Sequence, residues 1–418
     1  MKQFRNIFYL LLPFVVLSMF VMSCDDEDGV SLESADGTPQ IKYIRVPNPD
    51  AADSLLVGAE LGTTIVIVGE NLGGVRSIYF NDKQAELLPT WVTNRTIFAT
   101  VPLLAPSEVT DKIYLTTASG ATIEYPFTVA IPAPSVIAAR NEWPRAGEQF
   151  VIYGDYFFEP LSVEFTGGGE AEVVSVSQTQ VVVEVPDGAT EGPVTVITNF
   201  GRTTSSFHFR DSRNLFLNFD EPGKTPAGAW RNGIIKSDEN SLDGNYLFFQ
   251  GVYNNGERLE GEGSPYEAQF WAKASGRPEG NLLPGEPWDY VMKFEINIVE
   301  WYGSDLNICF APWDHANSNQ EVWGNSFNAR AVFGPWREAN ETLSTDGQWV
   351  TVTIPMTEFK WAMGTTKNPA SGVDEVSYTE AAFNKNVTGS LSFWVLSAPE
   401  ADKSPFEFYI DNVRIVAK

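Results

Sequence analysis

Residues 60–70 read ELGTTIVIVGE, and residues 145–155 read RAGEQFVIYGD. Their shared glycines, Gly69 and Gly154, stand 85 positions apart. The match continues downstream. VRSIYFND answers to LSVEFTGG, with Phe80 and Phe165 again 85 apart, and TIFATVP answers to VVVEVP, with Pro102 and Pro186 84 apart. IYLTTASGAT then answers to VTVITNFGRT. Four matches in one order at one offset mark an internal duplication, so the chain must build the same small unit twice. Within each copy the apolar residues alternate, Ile65 and Ile67 against Val66 and Val68, and Val181, Val183 and Val185 against Val182 and Glu184. Turn signals such as NLGG, NDK, TGGG and PDGATEG fall between the runs. Short alternating strands punctuated in this way predict a small antiparallel sandwich for each copy, over residues 39–130 and 131–210.

Residues 211–418 are different. Strand candidates recur there (NYLFFQGVY, EAQFWAKA, YVMKFEINIV, LNICFAPW, ARAVFG, WVTVTIPM, SLSFWVLS, FEFYIDNVRIV), and nothing reads as a long amphipathic helix. Eight to ten strands over that length predict one larger sandwich of jelly-roll type. In YVMKFEINIV, Met292, Phe294, Ile296 and Ile298 fall on one face, and Lys293, Glu295 and Asn297 on the other. The expectation is a core face and an open polar face. Between the two repeats, AIPAPSV (residues 130–136) holds two prolines, which favour an extended, semi-rigid joint. A second joint is expected near FRDSRNL, residues 209–215.

The N-terminus locates the chain. Lys2 and Arg5 precede an apolar run from Ile7 to Met22, short for a spanning helix and suited to a secretory signal over residues 1–23. The run stops at Ser23-Cys24, which resembles a bacterial lipobox, in which the cysteine is lipidated; CDDED resembles the export signal of Bacteroidetes surface lipoproteins. Residues 24–38 are then a disordered, lipidated tether, and the expected location is the outer membrane, facing outward. Without the leader the net charge is −28, against −26 for the whole chain. That excess of acid argues against nucleic acid and polyanionic glycans, and suits a neutral partner. Cys309 is the one cysteine beyond Cys24, so no intramolecular disulfide is expected. With His208 and His315 as the only histidines, a Cys/His zinc site is not expected, and neither lies near a GxSxG nucleophile motif.

Tryptophan carries the functional signal. Ten of the twelve lie in residues 211–418, several among Pro, Gly, Asp and Asn: Trp288, Trp301, Trp313, Trp323 and Trp336. Rings on loops cost free energy unless something covers them. A pyranose has an apolar face that an indole or phenol matches, and a hydroxyl rim that forked polar side chains bind. Trp271, Trp301, Tyr302, Trp313, Trp323, Arg330 and Trp336 are the expected glycan contacts, whereas Trp349 and Trp394 alternate inside clear strands and read as core or flank. Trp230 and Trp361 are evenly placed between the two roles. Two readings compete with simple binding. A glycoside hydrolase or lyase would need two carboxylates about 5–10 Å apart, and Glu295, Glu300, Asp305, Asp314 and Glu321 are available. An adhesin would use the repeats for a protein partner.

Both repeats resemble the IPT/TIG branch of immunoglobulin-like domains, through the G-x-x-x-x-I-x-G-x-x-[LF] opening and the late S/N-x-G turn. LFLNFDE, GQWVTVTIPMTEF and FYIDNVRIV are similar to strands of carbohydrate-binding jelly rolls. Together with the lipobox, acidic tail and proline joint, the chain resembles the Bacteroidetes surface glycan-binding lipoproteins of polysaccharide-utilisation loci, in particular the second such protein of xyloglucan-type loci. That resemblance implies a non-catalytic platform on the C-terminal domain, with Trp271, Trp301 and Tyr302 at corresponding ring positions. It also implies a neutral plant β-glycan as ligand, and a TonB-dependent transporter and a SusD-like protein as partners. It implies no catalytic cofactor; a structural Ca²⁺ is an expectation from the jelly-roll likeness alone, since no EF-hand spacing is present.

Overall fold

The computed structural model describes residues 37–220, 234–254, 267–271, 283, 285–311, 329–362, 375–376, 390–397 and 403–418. The expected signal and most of the tether, and the rings of Trp230, Trp271, Trp313, Trp323 and Trp361, lie outside the described residues. Among those described, every extended element is a strand, and the one α-helix is a single turn, α1 (Trp336–Ala339). The chain divides into two compact units, Met1–Ile131 and Pro132–Lys418.

The first unit holds β1 (Gln40–Arg45), β2 (Gly58–Glu60), β3 (Thr64–Glu70), β4 (Val75–Phe80), β5 (Lys83–Ala85), β6 (Thr96–Thr100), β7 (Lys112–Thr117), β8 (Thr122–Pro126) and β9 (Thr128–Ala130). Sheets β1-β3-β6 and β5-β4-β7-β8 enclose a core built on Ile65, Ile67, Ile78, Phe80, Ile97 and Leu115. One pair departs from the antiparallel expectation: β2 and β9 run parallel.

The second unit opens with the repeat: β10 (Ser135–Ala139), β11 (Gln149–Asp155), β12 (Leu161–Phe165), β13 (Gly169–Glu170), β14 (Glu172–Val176), β15 (Gln180–Glu184), β16 (Gly192–Thr198) and β17 (Gly201–Phe209). Its sheets, β10-β11-β15-β14 and β13-β12-β16-β17, repeat the pairings of the first copy's two sheets and add β14 at one edge. The conserved spacing of Gly69 and Gly154 has a steric cause. A Cβ at Gly69 would run into the carbonyl oxygen of Gln40 on β1, and a Cβ at Gly154 into that of Ser135 on β10. Only glycine lets the first strand approach so closely in each copy.

The rest of the unit is the larger sandwich: β18 (Leu215–Leu217), β19 (Ile234–Lys236), β20 (Tyr246–Asn254), β21 (Glu267–Trp271), β22 (Tyr290–Trp301), β23 (Ser304–Ala311), β24 (Ala329–Phe333), β25 (Val350–Pro355), β26 (Lys360–Ala362), β27 (Glu375–Val376), β28 (Ser390–Ser397) and β29 (Lys403–Ala417). One sheet runs β19-β20-β29-β22-β25, with β18 on β29; the other runs β21-β28-β23-β24-β26-β27. Met292, Phe294, Ile296 and Ile298 face the core between them, as the alternation predicts.

The opposite face of β22 is a correction. Lys293, Glu295 and Asn297 are buried, not open. A bulge in β29 lets both Asp411 and Arg414 leave the core side, opposite Glu295 and Lys293. The second repeat sets Glu142 onto this patch. Arg414 donates Nη2 to Glu142 (2.7 Å), and Nη1 and Nη2 to Glu295 (2.9 and 3.0 Å). Lys293 donates to Glu142, and Thr351 Oγ1 to Glu295 (3.0 Å). Backbone bonds complete the seat: the Glu142 amide donates to Thr351 Oγ1 (2.8 Å), and the Thr351 amide to the Arg140 carbonyl (2.8 Å). Trp143 packs in an aromatic cluster with Tyr246, Trp349 and Tyr409. The second joint is equally tied, since Asp211 is buried and takes two bonds of 2.8 Å from the Arg213 guanidinium. Two cations and two carboxylates cancel across the seat, which is how charges survive burial.

Candidate functional site

With one outer face of the sandwich occupied, a ligand platform falls to the other sheet. Leu306, Ile308 and Phe310 of β23 and Leu391, Phe393 and Val395 of β28 enter the core. Alternation therefore turns Asp305, Asn307 and Cys309, and Ser392, Trp394 and Leu396, to the outer side. The middle of this side is covered: Cys309 and Trp394 form their own small buried cluster, with Leu396 against it. Burial pushes the Cys309 thiol up to about 12, which makes it inert. Arg330 of β24 pairs with Cys309 across the strands and is itself buried, so it presents no open guanidinium to a sugar.

The two ends of the sheet differ. At the Ser304 end, a second bulge in β22, between Ile298 and Glu300, reverses the phase of the strand. Strict alternation from Met292 would place Trp301 outside with Lys293 and Glu295. The bulge leaves Val299 exposed and turns Trp301 inward, fully buried, where it stacks on Phe408 at 4.3 Å between ring centroids. Trp336 on α1 is buried as well. The indole N–H groups of both donate to the Ser304 carbonyl, each at 2.7 Å. Trp301 and Trp336, expected as sugar contacts, are thus corrected to supports. Tyr302 remains half-buried, its ring 5.1 Å from that of Trp336. Arg337 lies over the same indole at 4.7 Å, and donates to Asp305 at 2.6 and 3.1 Å. Arg337 is the exposed group of this knot, and Tyr302 is partly buried against the core. The signal for Arg337 was in the sequence, in the Trp-Arg step of GPWREAN.

At the far end, Trp271 closes edge strand β21 opposite Ser390, which also pairs with Ala311. Residues 312–328, with Trp313 and Trp323, lie outside the described residues. Along β28, Ser390 and Ser397 are roughly 23 Å apart at about 3.3 Å per residue. Trp271 and Tyr302 therefore mark opposite ends of one sheet. Trp349 and Trp394, read as core or flank, are buried, and Trp288 is half exposed.

Among the described residues, the candidate acids form neither the expected cation site nor a pair of free carboxylates. The grouping of three or more potential metal ligands among the described residues is Glu191, His208 and Asp211. Arg213 already holds Asp211, and a calcium ion wants six to eight oxygens, so the group does not fit. Of the candidate acids, Glu295 is buried in the seat and Asp305 is bound by Arg337, whereas Glu300 is exposed; Asp314 and Glu321 lie outside the described residues. Burial lifts Glu295 to about 7, with Arg414 pulling against it.

Two immunoglobulin-like domains followed by a two-sheet sandwich, with one face docked and aromatic residues at the ends of the other, define a multidomain carbohydrate-binding protein of the β-sandwich type. Residues 209–417 match the family described as surface glycan-binding protein B xyloglucan binding domain, and the chain belongs to that family, one of glycan binders rather than catalysts. An IPT/TIG domain-containing protein of Bacteroides ovatus is 34% identical over 160 residues, 37% of this chain. The chain matches only 30% of that relative's length. The crystal structure of a surface glycan-binding protein B from Prevotella bryantii is similar at 29% identity with a TM-score of 0.67, covering 91% of this chain and 99% of that one.

Proposed function

We propose that this chain is a lipid-anchored protein of the outer cell surface that captures a neutral polysaccharide without cleaving it, xyloglucan ahead of other plant β-glycans. The family match over residues 209–417 carries the reading, because it spans the whole of the larger sandwich. Cys24 is the lipidation site, and residues 24–38 are the tether. The contacts are Trp271, on the strand at one end of the sheet, and Tyr302, with Arg337, at the other; Trp313 and Trp323, outside the described residues, are proposed contacts from the sequence alone. Aromatic positions at both ends of the sheet suit a long chain, since a single sugar could not reach both. A net charge of −26 favours a neutral glycan over an anionic one. The immunoglobulin-like domains act as spacers, and a TonB-dependent transporter with a SusD-like protein would receive the captured chain.

The test is affinity electrophoresis of the full chain through gels containing xyloglucan, mixed-linkage β-glucan, galactomannan or pectin. Retardation in a neutral glycan, weakened by Trp271→Ala and Tyr302→Ala, is expected. Release of reducing ends from any of these glycans would overturn the non-catalytic assignment.

A further inference from the structure

The seat of the second immunoglobulin-like domain on the sandwich leaves a cleft beside it. Its volume is about 390 Å³, and its walls come from both domains. That lies in the range of roughly 300–1,000 Å³ usual for small-molecule sites. Arg140, Asn141, Glu148 and Gln149 line it from the repeat, and Gln348 and Trp349 from the sandwich. We propose that this cleft is a second saccharide-contact site, separate from the platform on the far sheet, for one or two units of a neutral glycan.

The chemistry of the walls selects that ligand. One guanidinium and one carboxylate balance, so no net charge draws an ion. The side-chain amides of Gln149 and Gln348 have no hydrogen-bond partner among the described residues, and the Asn141 side-chain amide uses only its oxygen, accepting from the Trp143 backbone N–H at 2.8 Å. Arg140 uses Nε alone, donating to the Tyr153 hydroxyl at 3.2 Å. Idle amide and guanidinium forks at short spacing match vicinal hydroxyl pairs. An aromatic face continues the track. Gln149, Val151 and Tyr153 share the outer side of β11, and the Tyr153 ring is 36% exposed with Arg140 fixing its hydroxyl. A phenol held in this way, bonded to Arg140 of the cleft wall, offers a flat surface to a sugar. The neighbouring cleft differs in charge: Lys293 and Arg213 are engaged by Glu142 and Asp211, but Lys418 adds a further cation to its wall.

This inference rests on the glycan-binding reading, and stoichiometry separates the two. Calorimetric titration of the full chain with a xylogluco-oligosaccharide should give two molecules bound per chain. The double variant Gln149→Ala/Gln348→Ala should reduce this to one, keep the remaining Kd within about twofold, and weaken binding of the polymer by ~10-fold or more through lost bivalency. Tyr153→Ala, an exposed change that spares the fold, should weaken the second site alone. A wild-type stoichiometry of one, or a double variant that still binds two, overturns the second site and leaves the platform standing. No binding at all overturns both.

Discussion

Replacing Glu142 by glutamine should loosen the second immunoglobulin-like domain from the sandwich. The carboxylate is buried, with Arg414 on one oxygen and Lys293 on the other. Arg414 would keep Glu295, but Lys293 has no second anion among the described residues and would be left charged in a buried site. Removing one partner from a buried ion pair costs about 3–5 kcal/mol. At roughly 2–4 °C of Tm per kcal/mol, the transition of Pro132–Lys418 should fall by roughly 6–20 °C in differential scanning calorimetry. The transition of Met1–Ile131 should stay in place. Adding Lys293→Met to Glu142→Gln should recover part of the loss, because the stranded charge goes with it. Glu170→Gln, at an exposed position, serves as the control. A change in Tm within about 1 °C, or a double variant worse than both singles together, would refute the claim that this network holds the joint.

Three further outcomes follow from individual residues. Asp411 is fully buried, its Oδ2 has no hydrogen-bond partner among the described residues, and burial with the nearby carboxylates drives it well above the usual range. Folding then takes up a proton, so its contribution is complete below the unfolded value near 4 and is lost as pH rises. Asp411→Asn should match wild type near pH 4 and melt higher at pH 8; a gap that instead widens toward acid, or a Tm raised by Ca²⁺ in wild type only, would mean an ionised carboxylate holding a cation. Trp301→Ala should cost about 3–5 kcal/mol of stability in urea titration while leaving the Kd for glycan within about twofold in folded protein; a large loss of affinity without loss of stability would return Trp301 to the binding surface. Cys309 should stay unreactive toward a thiol reagent until the sandwich unfolds, and rapid native labelling would contradict its burial.

The legibility of this chain varied with the kind of information each residue carries. The duplication was readable because its markers are steric: Gly69 and Gly154 recur where a neighbouring strand leaves no room for a Cβ. The core face of β22 was readable because alternation is local. What covers the polar face was not, since Lys293 and Glu295 look solvent-facing until Glu142, some 150 positions away in the chain, arrives on them. Trp301 failed for a different reason. A single extra residue in the bulge at Val299 inverts the phase, and VEWYGSD gives no local sign of it. The proline and glycine neighbours of Trp336 read as a loop. They do make a turn, but it folds the indole onto Ser304.

Titration calorimetry with soluble xyloglucan, comparing the full chain with the unit Pro132–Lys418, tests the central claim most directly. The account predicts saturable binding with Kd values that agree within about twofold, and no sugar released. Binding that needs the first domain, or none by either protein, would contradict it.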